Sequence, residues 1–158
     1  MKVARLLSPD MILLDLASRE RSGVLEELAA YLKSKNRIGK EKELVEKLEQ
    51  REELGSTAIG DGVAIPHCKH KSVKDPLLML AISRSGVDFH APDGSPSQIF
   101  FLVVSPPDNP SLNLQILAAV AHLVRKADTL FKRLLEADDP AQVMGIIQEE
   151  EDRIDESK

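Results

Sequence analysis

Apolar residues recur along this chain at two spacings, and the spacing separates helices from strands. Val24, Leu25, Leu28 and Leu32 share one side of a helix, which is expected to start after an N-cap at Ser18 and run to about Lys33. Asn36 to Gly39 interrupts the pattern. A second helix is expected from about Lys40 to Leu54, with Leu44, Val45 and Leu48 as its apolar stripe and Glu43 four residues before Lys47 in the favourable order. Arg51 stands seven residues after Leu44, so it falls on that stripe and not on the solvated face. An arginine placed there calls for an anion.

The strand-like runs are shorter. Met11 to Leu16 (MILLDL), Val63 to Ile65 and Leu77 to Ile82 read as strands, and Pro66 keeps Ile65 extended. Ile99 to Val104 (IFFLVV) is bulky and apolar throughout, the pattern of a central strand buried on both faces. Gly86 to Pro96 is expected to form turns around a short extended piece. After a proline-rich loop, Ser105 to Pro110, Ser111 can cap a helix reaching about Lys126. Two helices are expected beyond it, Thr129 to Glu136 and Pro140 to Gln148, and then an acidic tail, residues 149–158, that frays. No internal repeat or low-complexity linker divides the chain. The expectation is α/β or mixed α+β, a single domain over residues 1–158 with a central mixed sheet flanked by helices.

Composition narrows the function. A chain of 158 residues can bury a real core, which must be aliphatic because aromatics are only 3%. The net charge of −5 offers no basic stripe, so nucleic acid is not an expected partner. One cysteine cannot form an internal disulfide, which fits a reducing compartment. No apolar run approaches the ~20 residues that span a bilayer, and MKVARLL lacks the apolar core of a signal peptide. A cytoplasmic location and no membrane insertion are expected.

The candidate chemistry lies in REELGSTAIGDGVAIPH, Arg51 to His67. Phosphoryl transfer asks the protein mainly for position and charge. Histidine has a free lone pair near neutral pH, provided one ring nitrogen is held and the other faces outward. Pro66 limits where the His67 ring can go. Gly55, Gly60 and Gly62 would let backbone N–H groups approach an anion, and Ser56 and Thr57 would add hydroxyls. Arg51 supplies a permanently charged planar fork. Each part alone has an ordinary reading: a surface histidine, a turn, a helix-end cation. Their concentration in one short segment is what points to function. No Gly-Lys-Ser/Thr follows the glycines, so the nucleotide-binding phosphate loop does not match. His67, Cys68 and His70 do not make a zinc site, because an extended segment turns His67 away from the other two. Cys68 is a weak candidate nucleophile, though it could be a reactive thiol beside the site, and His90 reads as a loop residue.

The Arg51–His67 segment, with GVDFHAPDGSPSQIFFLVVSPP downstream, resembles the mannitol/fructose-type (type 2) enzyme IIA domains of the bacterial phosphoenolpyruvate-dependent phosphotransferase system. The resemblance spans nearly the whole chain and implies that fold. It implies that His67, in the Ile-Pro-His triplet, is phosphorylated, and it matches Arg51 and Thr57 to the motif's arginine and threonine. It implies a phosphohistidine carrier that needs no cofactor or metal. The donor would be an HPr-type protein, and the acceptor a cysteine on an enzyme IIB domain, or the output would be regulatory, set by phosphorylation state. With no IIB, IIC or membrane segment attached, the chain looks most like the nitrogen-regulatory enzyme IIA group. The alternative is a regulatory binding module of the same fold with little phosphoryl turnover.

One position departs from the family pattern. A second histidine is usual in the first turn of the helix after the proline-rich loop, and here that residue is Asn113. Asn113, Leu117, Val120 and Val124 share a stripe, so Asn113 is expected to face inward near a helix N-terminus. It can donate a neutral hydrogen bond but not a charged one. His122, nine residues on, lies on the opposite side of that helix and cannot replace the missing imidazole.

Overall fold

The computed structural model describes residues 1–157. In chain order it forms α1 (Val3–Leu6), a 3-10 turn (Pro9–Met11), β1 (Ile12–Leu13), α2 (Arg21–Ser34) and α3 (Glu41–Glu53). Then come β2 (Ala58–Gly60), β3 (Val63–Ala64), β4 (His67–Lys69), β5 (Leu77–Val87) and β6 (Ser97–Ser105). The chain ends in α4 (Pro110–Lys126), α5 (Leu130–Glu136) and α6 (Pro140–Glu156). The strands make one mixed sheet in the order β1-β5-β6-β3-β2, with β4 also on β6. The expected mixed α+β class is therefore observed.

β6 is the axis of this sheet. Every residue in it except Gln98 is buried, as the unbroken apolar run predicted. β5 lies antiparallel on one edge. On the other edge β3 and β4 follow one another, both parallel to β6, Val63 opposite Ile99 and His67 opposite Val103. Phe89 packs edge-on to Phe100, with ring centroids 5.2 Å apart.

Local differences from the sequence pattern have identifiable causes. Ser18 does not cap α2; its N–H and that of Ala17 donate to the Glu27 carboxylate, and the helix starts at Arg21. Asn109, not Ser111, caps α4 by accepting from the Leu112 N–H, because Pro110 fits the first helical position. The buried face of α4 is Asn113, Ile116, Val120 and Leu123, a slight rotation from the expected stripe.

The acidic tail is the larger correction. Residues expected to fray continue α6 to Glu156, with Glu150 and Glu151 buried. Glu151 accepts from the N–H groups of Val3 and Ala4 at 2.7 and 2.8 Å, capping the short α1. Glu150 accepts from Thr129, Arg133 and Arg153. Apart from Arg153, these carboxylates find partners far away in sequence, which no local pattern could reveal. Replacing Glu151 by Ala leaves one buried and one half-buried donor unpaired and is expected to lower stability by about 1–3 kcal/mol. Urea unfolding checks this; an unchanged midpoint would show that the tail is dispensable.

Candidate functional site

His67 is positioned by β4. Pairing of β4 with β6 fixes its backbone, and the Val103 N–H donates to the Pro66 carbonyl at 3.0 Å. The imidazole Nδ1 lies 2.8 Å from the Ile65 carbonyl oxygen, which can only accept, so Nδ1 carries the proton and donates. Nε2 is then the unprotonated nitrogen. Arg51, in the last turn of α3, donates from Nε to this atom at 3.3 Å and from Nη1 to the Gly55 carbonyl at 2.9 Å. The sequence expectation of a guanidinium beside the imidazole is met by direct contact.

Both side chains open onto a cleft of about 600 Å³ between α3, β4 and the start of α4, lined among others by Lys47, Gln50, Arg51, His67, Lys69 and Asn113. Asn113 accepts from the Ser105 hydroxyl at 2.7 Å through Oδ1, so its NH₂ is the donor end left for the cleft. Burial pushes the His67 pKa below the ordinary imidazole value. The Ile65 carbonyl opposes that shift, the Arg51 guanidinium reinforces it, and Glu52 opposes it. The ring is neutral at pH 7, with a lone pair facing a cation-lined opening.

Comparison with known proteins gives this arrangement a context. A sequence model of the phosphoenolpyruvate-dependent sugar phosphotransferase system, EIIA 2, matches residues 5–150. The chain belongs to this family. It is 34% identical over 148 residues to a nitrogen regulatory protein of Bradyrhizobium diazoefficiens, covering 93% of this chain and 95% of that one. It is 31% identical over 147 residues to a fructose-specific EIIABC component of Bacillus subtilis, covering 93% of this chain but only 23% of that longer relative. The crystal structure of nitrogen regulatory protein IIA-Ntr from Neisseria meningitidis superposes with a TM-score of 0.83 at 28% identity, covering 92% and 98% of the two chains. EIIA domains are phosphotransferase components that carry a phosphohistidine, and the phosphocarrier role extends to this chain.

Within this EIIA domain the donor-rich turn works differently from the sequence expectation. Thr57 does not line the cleft. It is buried; its hydroxyl donates to Glu52 Oε2 at 2.5 Å and its N–H to Oε1 at 2.9 Å. Ser56 is likewise engaged, donating to the Phe89 carbonyl at 2.5 Å and accepting from the Ala58 N–H. Gly60 and Gly62 flank the β2–β3 turn, each at positive φ, and a Cβ on Gly62 would lie 2.5 Å from the Phe131 ring. Gly62 precedes the residue opposite Ile99, whereas His67 stands opposite Val103, so Gly62 is about 16 Å away along the sheet at ~3.3 Å per residue. Of the expected phosphoryl-binding loop, only Gly55 touches the site, through the carbonyl that holds Arg51.

Cys68 lines the same cleft as His67, and burial pushes its thiol up to about 12, so the thiol beside the site is not a thiolate. His70 is buried, with Nδ1 on the Ser72 hydroxyl and Nε2 3.6 Å from Glu43. Among the described residues no group of three or more His, Cys, Asp or Glu could hold a metal ion. His90 sits in a loop at φ 61°, its Nδ1 3.3 Å from Arg21.

Sequence reading missed Glu52, Lys47, Lys69 and Ser105. Glu52 was detectable: it stands eight residues after Leu44, and Leu44, Leu48 and Glu52 are the buried residues of α3.

Because the folded His67 pKa lies below its unfolded value, the unfolded chain binds more protons between the two. This group's contribution to stability is therefore complete above pH ~6.5 and declines as pH falls through that window. The imidazole is expected to titrate below ~6.5 in histidine-detected NMR and to move upward in Arg51→Ala as the cation is removed. A midpoint at or above ~6.5 in the unsubstituted protein would contradict this assignment.

Proposed function

We propose that His67 Nε2 is the phosphoryl acceptor, with an HPr-type phosphohistidine protein as donor and an enzyme IIB cysteine, or a protein regulated by phosphorylation state, downstream. One observation carries the reading: the outward ring nitrogen lacks a proton and faces the Arg51 guanidinium while the other ring nitrogen is tied to a carbonyl. The Nε2 lone pair attacks phosphorus, the donor's N–P bond breaks, and the donor ring keeps that electron pair. Nδ1 retains its proton, so the substituted ring is cationic and the Ile65 carbonyl stabilises it. That positive charge makes the imidazole a good leaving group for onward transfer. Arg51 swings its donors from the ring to the phosphoryl oxygens, and the Asn113 NH₂ and the ammonium groups of Lys47 and Lys69 line the same opening.

The nitrogen-regulatory assignment rests on relatives of similar length that bear that name. Among the described residues no helix is long and apolar enough to cross a membrane, and we place the protein in the cytoplasm alongside an HPr-type donor. The second reading, a binding module with slow turnover, is favoured by Asn113, whose amide supplies a dipole where the family pattern has an imidazole.

Incubation with phosphoenolpyruvate, enzyme I and an HPr-type carrier is expected to add one acid-labile phosphate by intact mass. His67→Ala abolishes it, and Arg51→Ala slows acceptance about 100-fold. Phosphorus NMR is expected to show substitution at Nε2. No gain with any carrier would favour the binding module, and substitution at Nδ1 would overturn the tautomer argument. Asn113→His is expected to change the rate of phosphate gain or loss; identical rates would show that the amide is an adequate substitute.

A further inference from the structure

Glu52 is a buried carboxylate immediately after the site arginine, and its hydrogen bonds belong to a closed circuit. Oε1 accepts from the Thr57 N–H at 2.9 Å, and Oε2 from the Thr57 hydroxyl at 2.5 Å. The Thr57 carbonyl accepts from the Ile65 N–H at 3.0 Å. The Ile65 carbonyl accepts from His67 Nδ1 at 2.8 Å, and His67 Nε2 accepts from Arg51 Nε at 3.3 Å. Arg51 is bonded covalently to Glu52, so the path returns to its origin. A short inner loop braces it: the Glu52 carbonyl accepts from the Gly55 N–H at 3.0 Å, and the Gly55 carbonyl accepts from Arg51 Nη1 at 2.9 Å.

From this circuit we infer that Glu52, acting through Thr57, is the positioning residue that sets the Arg51 guanidinium against the His67 ring. The inference rests on the phosphoryl-acceptor reading of His67 and explains what Thr57 does, since its hydroxyl is turned from the cleft. Helix α3 ends beside β4, but a helix end frays unless its last turn is held. The two-point clasp on Thr57 joins that end to the β2–β3 ladder, which in turn fixes Ile65. Arginine and imidazole are thus placed by opposite ends of one rigid connection. A buried carboxylate is tolerated there because both oxygens are bonded, and its negative charge favours the charged form of the ring that the guanidinium touches.

Three variants separate geometry from charge. Glu52→Ala removes both links. Thr57→Val removes only the hydroxyl link. Glu52→Gln keeps both, with the Thr57 hydroxyl reversed to accept from the new amide. Glu52→Ala is expected to slow phosphoryl acceptance at saturating donor by about 100-fold, as a small misplacement of reacting groups does, with the donor KM unchanged. Thr57→Val falls between it and wild type, and Glu52→Gln keeps most of the rate. Glu52→Gln is also expected to lower the His67 titration midpoint, because the carboxylate no longer favours the charged ring.

An NMR readout on the unphosphorylated protein is independent of turnover. The Arg51 Nε–H resonance is expected to be slow to exchange in wild type and in Glu52→Gln, and fast in Glu52→Ala. If Glu52→Ala does not fold, Thr57→Val carries both measurements. Wild-type acceptance in Glu52→Ala, or in Thr57→Val with a slowly exchanging Arg51 Nε–H, would overturn the inference. So would a Glu52→Gln defect as large as that of Glu52→Ala, because geometry would then not be the cause. Failure of the wild-type protein to take phosphate would refute the acceptor reading, and the exchange measurement would still decide the role of Glu52.

Discussion

Strand β6 is the constraint on which the site depends. It offers both edges to partners, β5 on one and β3 followed by β4 on the other. Pairing on both edges holds its register, with Leu80 opposite Phe101 on one side and His67 opposite Val103 on the other. Once Val103 is placed, His67 is placed opposite it, and the chain between β3 and β4 has only Ile65 and Pro66 in which to turn. A side chain on so short a span inherits the rigidity of the core. That suits the phosphoryl transfer proposed for His67, in which alignment counts for more than covalent assistance from the protein.

Electrostatics at the site are arranged around one ring. Desolvation and a neighbouring guanidinium favour the neutral imidazole, as the proposed nucleophile requires, while a carbonyl on the far nitrogen favours the positive charge that the proposed substitution would bring. These demands conflict, and the structure meets them on opposite sides of the ring. Asn113 enters from α4, oriented by Ser105 at the end of β6, so the strand that fixes the histidine also fixes the amide facing the cleft. A neutral amide there changes the strength of one contact and leaves the rest of the arrangement in place.

Much of this was legible in the sequence. The 99–104 run announced a doubly buried strand, and the heptad spacing of Leu44 and Arg51 brought the guanidinium to the inner side of α3. Proline before His67 marked a restrained imidazole. The donor-rich turn was harder. Gly, Ser and Thr serve anion binding and tight turns equally well, and composition cannot say which way a hydroxyl points. Thr57 and Ser56 satisfy buried protein groups, and Gly60 and Gly62 make room for a turn and for Phe131. Glu52 was passed over because a carboxylate on an apolar stripe is satisfied only by a partner from a neighbouring segment.

The acidic C-terminal residues show the same division. Local composition argued for solvent, yet Glu151 caps a helix at the opposite end of the chain. What the sequence by itself determined were properties that arise within a few residues: periodicity, helix breaks, a proline-restrained histidine and an arginine one heptad from a buried leucine. Tertiary structure alone decided which polar groups meet. A hydrogen bond between distant segments depends on how sheet and helices are packed, and that packing is set by the whole core at once.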